Sequence, residues 1–373
     1  MFFVETRHAL SLSLFGKYYF PRKKKVLLGK TMKQNIYDLN LTELQEKIVE
    51  LGDKKYRAQQ VFDAIYPTGV NSAGDIKNIP QNLQVKLDET FEFVPAKIEK
   101  TLVSSIDKSV KFALKLLDGA IIECVILCVK DRRTLCLSSQ VGCRLGCVFC
   151  ETSKMEFKRN LTSGEILYQL VIANNYLKEF GEKITNIVFM GMGEALSNFD
   201  NFEKAYWAIH NQKIFNIGTR KITVSTAGVI SSIRKLMKSN IQIDLAISLN
   251  ASTDEERSKI MPINKRYPIA QLLEISKEYT ENCDRSVMFE YVMISGKNDS
   301  EDDAKRLAKM LKDIPCKLNL IPLNDSTCDL SCSPEERIEP FTKIIYDAGI
   351  RVMVRRSGGK DIGGACGQLA GSL

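Results

Sequence analysis

The apolar positions of this chain change period twice. From residue 36 to 95 they recur at helical spacing, as Leu44, Ile48, Val49 and Leu51, then Val61, Ile65 and Tyr66, then Leu83, Val85, Leu87 and Phe91. Thr42 with Gln45 reads as a capping box for the first helix, Pro67-Thr68-Gly69 closes the second, and Pro80 precedes the third. From 96 to 133 the period drops to two. Runs at 110–117 and 120–129 flank Asp118-Gly119, which predicts a β-hairpin. In its second strand Ile121, Glu123, Val125 and Leu127 share one face, and Ile122, Cys124, Ile126 and Cys128 share the other. Glu123 is thus the only charge in a strand apolar on both faces. It is either a desolvated carboxylate suited to general-base work or a charge reaching solvent at a sheet edge.

From residue 134 strands alternate with helices. Candidate strands lie at 135–138, 186–190, 221–226, 243–249, 287–294 and 317–321, with helices near 163–180, 201–212, 229–238, 268–282 and 300–313. Thr162 with Glu165 caps the first helix, and Ser333-Pro334-Glu335-Glu336 opens a final one with serine as N-cap. Six βα units predict an α/β fold with a parallel sheet and right-handed crossovers, either open or a partial barrel. Reactive groups then belong at the C-terminal strand ends. Four such ends are rich in glycine, hydroxyl, amide and carboxylate groups: Gly191-Met192-Gly193-Glu194, Ser225-Thr226-Ala227-Gly228, Ser248-Leu249-Asn250 and Ile321-Pro322-Leu323-Asn324.

Composition narrows the class. The 373 residues are 44% hydrophobic and 26% charged, as in soluble globular proteins. No apolar run approaches the ~18 to 20 residues of a membrane span. The net charge of +8 is concentrated: residues 1–35 hold eight basic side chains against Glu5, so the rest is close to neutral and an RNA site must be a local patch. That extension reads as disordered or untranslated, with Met32 as an alternative start; a transit peptide or an RNA-contacting arm are the functional options. Eleven cysteines without a secretory signal point to thiol or metal chemistry in a reducing compartment, here the cytoplasm. With only His8 and His210, histidine-dependent zinc sites and catalytic triads are disfavoured, and His210 beside Trp207 reads as helix packing.

Cys143, Cys147 and Cys150 form a C-x3-C-x2-C pattern within Gln140-Val141-Gly142-Cys143-Arg144-Leu145-Gly146-Cys147-Val148-Phe149-Cys150. Four thiolates would saturate an iron–sulfur cluster, whereas three leave one iron for a ligand. A structural zinc with Cys136 as fourth ligand is the competing reading. Cys328-x3-Cys332 is a possible second metal pair, and the other cysteines read as buried small hydrophobes.

The cysteine spacing is the signature of radical S-adenosylmethionine (SAM) enzymes. Together with Leu135-Cys136-Leu137-Ser138-Ser139-Gln140-Val141-Gly142-Cys143, Met190-Gly191-Met192-Gly193-Glu194, Met261-Pro262-Ile263-Asn264 and Ala365-Cys366-Gly367-Gln368-Leu369-Ala370-Gly371, the chain from about residue 36 to its end resembles the RlmN-type RNA (adenine-C2)-methyltransferases. The resemblance implies a partial (β/α)6 TIM-like barrel of the radical SAM type at 134–355. It adds a small RNA-engaging helical domain at 36–95, a β-hairpin linker at 96–133 and a cysteine-bearing C-terminal segment at 356–373. It implies a [4Fe–4S] cluster on Cys143, Cys147 and Cys150, and SAM held by Gly193, Glu194, Ser225, Ser248, Leu249, Asn250 and Asn324.

By the same resemblance Cys366 carries the methyl group as S-methylcysteine, Glu123 removes the C2 proton from a covalent RNA–protein intermediate, and Cys136 resolves it through a transient disulfide. The implied substrates are an adenosine of 23S rRNA and the adenosine next to the tRNA anticodon. Flavodoxin and its reductase are the kind of electron donor implied, and a monomer is expected. C2 of adenine is neither a good nucleophile nor bears an acidic hydrogen, so a radical route is chemically reasonable. Lys154, Lys158, Arg159, Arg220, Lys221, Arg355, Arg356 and Lys360 are candidate phosphate contacts, and the target adenine must leave its stack. Ala195, where the C2 enzymes usually have proline, and Asn250, where histidine is common, keep open C8 methylation of the Cfr type, an antibiotic-resistance activity. A non-catalytic RNA-binding protein with a structural metal is the reading from another class.

Overall fold

The computed structural model describes residues 26–27, 30–31, 33–324 and 330–371 and divides the chain into two units, 1–33 and 34–373. In the first unit an antiparallel pair, Val26–Leu27 with Lys30–Thr31, is described; of the extension predicted at 1–35, Gln34–Asn35 instead belongs to the second unit, pairing in parallel with Phe91–Glu92, and residues 1–25, 28–29 and 32 lie outside the described residues, as does Cys328.

The second unit is built on one ten-stranded sheet. Ala96–Val103, Val110–Leu116 and Ile121–Val129 form an antiparallel meander, and the last of these pairs antiparallel with Arg132–Cys136. From there the sheet is parallel: Arg132–Cys136, Asn186–Phe189, Ile222–Thr226, Asp244–Ser248, Val287–Met293, Cys316–Pro322 and Arg351–Val354. Helices Ser163–Lys178, Phe199–His210, Ile230–Met237, Ile269–Cys283, Glu301–Leu311 and Glu335–Asp347 make the crossovers. The central strands are apolar on both faces because both are covered, and the fold is the α/β partial barrel expected.

The structure adds to the predicted elements and shifts some of them. The meander has a third strand, Ala96–Val103, and the parallel series a seventh, Arg351–Val354. The first N-terminal helix starts earlier than expected, at Leu41: Asn40 accepts from the Glu43 backbone N–H at 2.9 Å, and Glu43 accepts from the Asn40 N–H at 2.8 Å, so the capping box is Asn40/Glu43 and not Thr42/Gln45. The second helix, Arg57–Thr68, carries Pro67 in its last turn and ends at Gly69, whose φ of 72° suits glycine. In the third, Gln81–Thr90, Leu83 and Leu87 are buried while Val85 is exposed. Thr162/Glu165 caps Ser163–Lys178 as predicted. In Glu335–Asp347 the cap position falls on Pro334, and the Ser333 hydroxyl is buried without a partner. His210 packs against Tyr206 and faces the Ile217 carbonyl, as expected. Among the described residues no helix is long and apolar enough to cross a membrane.

The helices between residues 41 and 90 pack on the core through aromatic edges. Tyr37 meets Tyr66 at 5.4 Å and Tyr168 at 5.2 Å between ring centroids, and Asp38 accepts from the Gly164 N–H at 2.7 Å.

Candidate active site

The cluster-motif loop is shaped by glycine and by what it rests on. Gln140–Val141 pairs antiparallel with Arg159–Asn160, bringing the loop's two ends together. Gly142 has φ 75°, and a Cβ there would sit 2.3 Å from the Glu156 carbonyl oxygen, so no other residue fits. The loop docks on the Met261-Pro262-Ile263-Asn264 segment: the Val148 N–H donates to Ile260 O at 3.0 Å, and Gly146 faces Pro262.

Beneath that segment lies a residue the sequence reading missed. Arg257, fully buried on the short helix Asp254–Ile260, donates to the carbonyls of Ala227, Ser248 and Leu249 and to the Asn264 side chain, each at 2.9 Å, and to Tyr267 O at 3.3 Å. One guanidinium thus ties the ends of two parallel strands to the platform under the loop. Burial lowers its pKa to about 10.

At the C-terminal strand ends lies a cavity partly open to solvent. Cys143, Cys147 and Cys150 line it together with Gly193, Glu194, Ser225, Ser248, Asn250, Asn324, Glu290 and Cys366. The structure therefore brings together three cysteines, six of the seven predicted SAM contacts and a cysteine more than 200 residues away. Leu249 is the exception: its side chain is fully buried, its N–H is bonded to Glu290 O, its carbonyl accepts from Arg257, and it does not line the cavity. Asn250 lines the cavity but its side chain is spent within the protein, with Oδ1 accepting from the Val292 N–H at 2.7 Å and Nδ2 on Met261 Sδ. Its φ of 58° is one that asparagine tolerates.

Two observations test whether these residues fit a sulfonium amino acid beside a cluster. Glu194 is 4% exposed; its Oε2 accepts from the Ala227 N–H at 2.9 Å, while Oε1 is buried without a partner. Glu290 Oε1 and Asn324 Oδ1 are likewise buried without a hydrogen bond. Glu290 is balanced by Arg355 at 3.5 Å, which leaves the Glu194 carboxylate as the one suited to a cationic ligand bearing an ammonium group. Burial also pushes the thiols up, Cys143 to about 11 and Cys147 and Cys150 likewise upward, so they remain neutral until a metal takes the sulfurs. Among the described residues no three His, Cys, Asp or Glu side chains gather at one point suited to a single metal ion.

The Glu194 environment yields a pH prediction. Burial pushes its carboxyl up to about 7. Because the folded value lies above the ordinary one, its contribution to stability is largest below about 4.5 and is lost as pH rises toward 7. Ligand pairing runs the other way, since only the carboxylate holds an ammonium. SAM affinity should weaken as pH falls through about 7, by up to roughly tenfold per unit, and Glu194→Gln should bind weakly with a flat profile. Calorimetric titration between pH 5.5 and 8.5 checks both; an equally steep profile in Glu194→Gln would refute the assignment.

The C-terminal segment folds back over the loop. The Glu151 N–H donates to Gly367 O at 2.7 Å, Thr152 Oγ1 donates to Leu369 O at 2.6 Å, and Asn324 Nδ2 donates to Cys366 O at 3.0 Å. Gly367 is required here: its φ is 83°, and a Cβ would approach Phe149 O to 2.9 Å. Cys366 also lines a smaller pocket with Cys136, and both are free thiols.

Glu123 is 1% exposed on an interior strand, so the sheet-edge reading fails. Nor is it isolated. Oε1 lies 3.2 Å from Lys111 Nζ, and Oε2 accepts from the Ala370 N–H at 2.9 Å. Lys111 also donates to Gly363 O at 3.2 Å, so this pair clamps both ends of the tail.

The proposed phosphate rim is partly dismantled. Arg159 is bound to Asp118 and, through two nitrogens, to Glu165. Arg220 and Lys221 precede the strand Ile222–Thr226 and so lie at the opposite end of the sheet from the cavity. Arg355 is half-buried, 3.5 Å from Glu290. Lys154, Lys158, Arg356 and Lys360 are exposed, Lys154 beside Glu151 and Arg356 beside Glu335.

Comparison with known proteins agrees with this arrangement. Residues 137–308 match the radical SAM superfamily, and residues 34–93 match the ribosomal RNA large subunit methyltransferase N-terminal domain. The chain is 42% identical over 337 residues to the "Probable dual-specificity RNA methyltransferase RlmN" of Clostridium perfringens, covering 90% of this chain and 96% of that one. It is 40% identical over 351 residues to the protein of the same name from Bacillus cereus, covering 93% and 96%. A solved radical SAM methyltransferase from Sphaerobacter thermophilus superposes with a TM-score of 0.88 at 38% identity, covering 91% of this chain and all of that one.

Proposed function

Since the chain belongs to the RlmN family of radical SAM RNA methyltransferases, we propose that it methylates C2 of an adenosine in 23S rRNA and of the adenosine next to the anticodon in tRNA. The observation that carries the reading is that Cys366 lines one cavity with Cys143, Cys147 and Cys150 and a second pocket with Cys136. The three loop cysteines would hold the [4Fe–4S] cluster; Gly193, Glu194, Ser225, Ser248 and Asn324 would hold SAM. Bound there, cluster and SAM supply an electron, a methyl group and a hydrogen-abstracting radical.

The chain's own residues do the rest. Cys366 accepts the methyl group on sulfur and becomes the point of covalent attachment to RNA. Glu123 takes the C2 proton once Ala370 releases Oε2, so entry of the RNA and displacement of the tail are coupled. Cys136 then displaces the product from the Cys366 sulfur. The 36–95 helical unit and the exposed Lys158 and Lys360 engage folded RNA. A one-electron donor such as a flavodoxin with its reductase supplies reducing equivalents.

Anaerobic reconstitution with iron and sulfide tests the enzymatic reading. The reduced protein should cleave SAM to 5′-deoxyadenosine in the presence of RNA; protein that takes up no iron, or yields no 5′-deoxyadenosine, would refute it.

A further inference from the structure

On this reading Cys136 must attack as a thiolate, and its surroundings resist that. It sits between Val125 and Val188 in the sheet, and burial pushes its thiol up to about 12, with the neighbouring Cys366 adding to the rise. The titratable and charged groups facing it are Cys124 from the adjacent strand, Cys366 from the tail, Glu290 from the strand Val287–Met293 and Arg355 from just beyond the last strand. Of these only Arg355 is a cation. It lines the same small pocket as Cys136 and Cys366. It is fixed there by its backbone N–H on Leu320 O at 2.8 Å, by Glu290 Oε1 at 3.5 Å from Nη1, and by Met190 Sδ at 3.7 Å.

We propose that Arg355 is the positioning residue of the resolving step: its guanidinium, anchored by Glu290, stabilises the Cys136 sulfur as a thiolate facing the Cys366 sulfur. This rests on the function proposed above. As the S–S bond forms, the bond from the Cys366 sulfur to the RNA-linked carbon breaks. The electron pair passes to that carbon and takes up one proton, leaving a methyl group on RNA and a disulfide on the protein. A thiol reductant returns the pair to thiols before the next turnover. Arginine suits the role because it stays charged in a buried setting.

The test is the pH profile of Cys136 alkylation by iodoacetamide, read by peptide mass spectrometry on the full chain without RNA or SAM. Arg355→Met should move the profile up by about one unit, or on the order of tenfold slower labelling at fixed pH. Arg355→Lys should stay near wild type, and half-buried Cys283 should label alike in all. Coincident wild-type and Arg355→Met profiles, or an equal shift in Arg355→Lys, would overturn the proposal. If Arg355→Met does not fold, Arg355→Gln decides: without the charge the profile should move up as for methionine, and an unmoved profile would overturn the proposal. Labelling needs no methyl transfer, so a negative result removes this inference alone. Missing 5′-deoxyadenosine from the wild type would instead remove the function on which it rests.

Discussion

Cys136→Ala is expected to leave RNA covalently attached to Cys366. The variant retains the cysteine loop, the cavity and the Cys366 sulfur, because Cys136 lies in the pocket behind them. It loses the one thiol that shares that pocket with Cys366. The next sulfur, Cys124, is fully buried with its thiol pushed far up and cannot substitute. Each chain should stop after a single encounter, giving a nuclease-sensitive species that migrates above the free protein on a denaturing gel, with the attachment mapped to the Cys366 peptide. Recovery of free, fully methylated RNA from Cys136→Ala would mean that another group resolves the intermediate.

Arg257→Met should be the most damaging structural change. It removes the Arg257 donor from the Ala227 and Ser248 carbonyls and the Asn264 side-chain oxygen in a dry setting, while the Leu249 carbonyl keeps the Ala251 N–H. Each orphaned group costs about 1 to 3 kcal/mol, so a loss of about 4 kcal/mol or more is expected in denaturant unfolding of the metal-free chain. The strand ends bearing Ser248 and Ala227 would also loosen, so the variant should lose SAM binding even where it stays folded. A loss below about 1 kcal/mol would show that these carbonyls find other donors.

What the sequence revealed follows from which features are local. Periodicity exposed the parallel strands and their helices because each buries a continuous apolar face. Glycine and cysteine spacing exposed the loop because its geometry is set within eight residues. The first strand, Ala96–Val103, escaped because nearly all its side chains are exposed at the sheet edge, so it lacks alternation. Arg351–Val354 escaped because four residues carry too little pattern. Arg257 sits in Asp254-Glu255-Glu256-Arg257-Ser258-Lys259, which reads as a solvated helix turn; its burial is imposed by carbonyls from other strands. Glu290 and Lys111 were hidden for the same reason. A carboxylate in an apolar strand was legible at Glu123, but its partner on the neighbouring strand is a matter of register. Arg355, expected among the phosphate contacts, turns toward Glu290 and the pocket of Cys136 and Cys366; charge alone does not say which way a side chain faces.

The central claim is methyl transfer to C2, and nucleoside mass spectrometry tests it most directly. The reconstituted protein, given SAM, an electron donor and a 23S rRNA fragment, should yield 2-methyladenosine, and Cys366→Ala should yield none. Finding 8-methyladenosine in its place, or 2-methyladenosine formed undiminished by Cys366→Ala, would contradict the account.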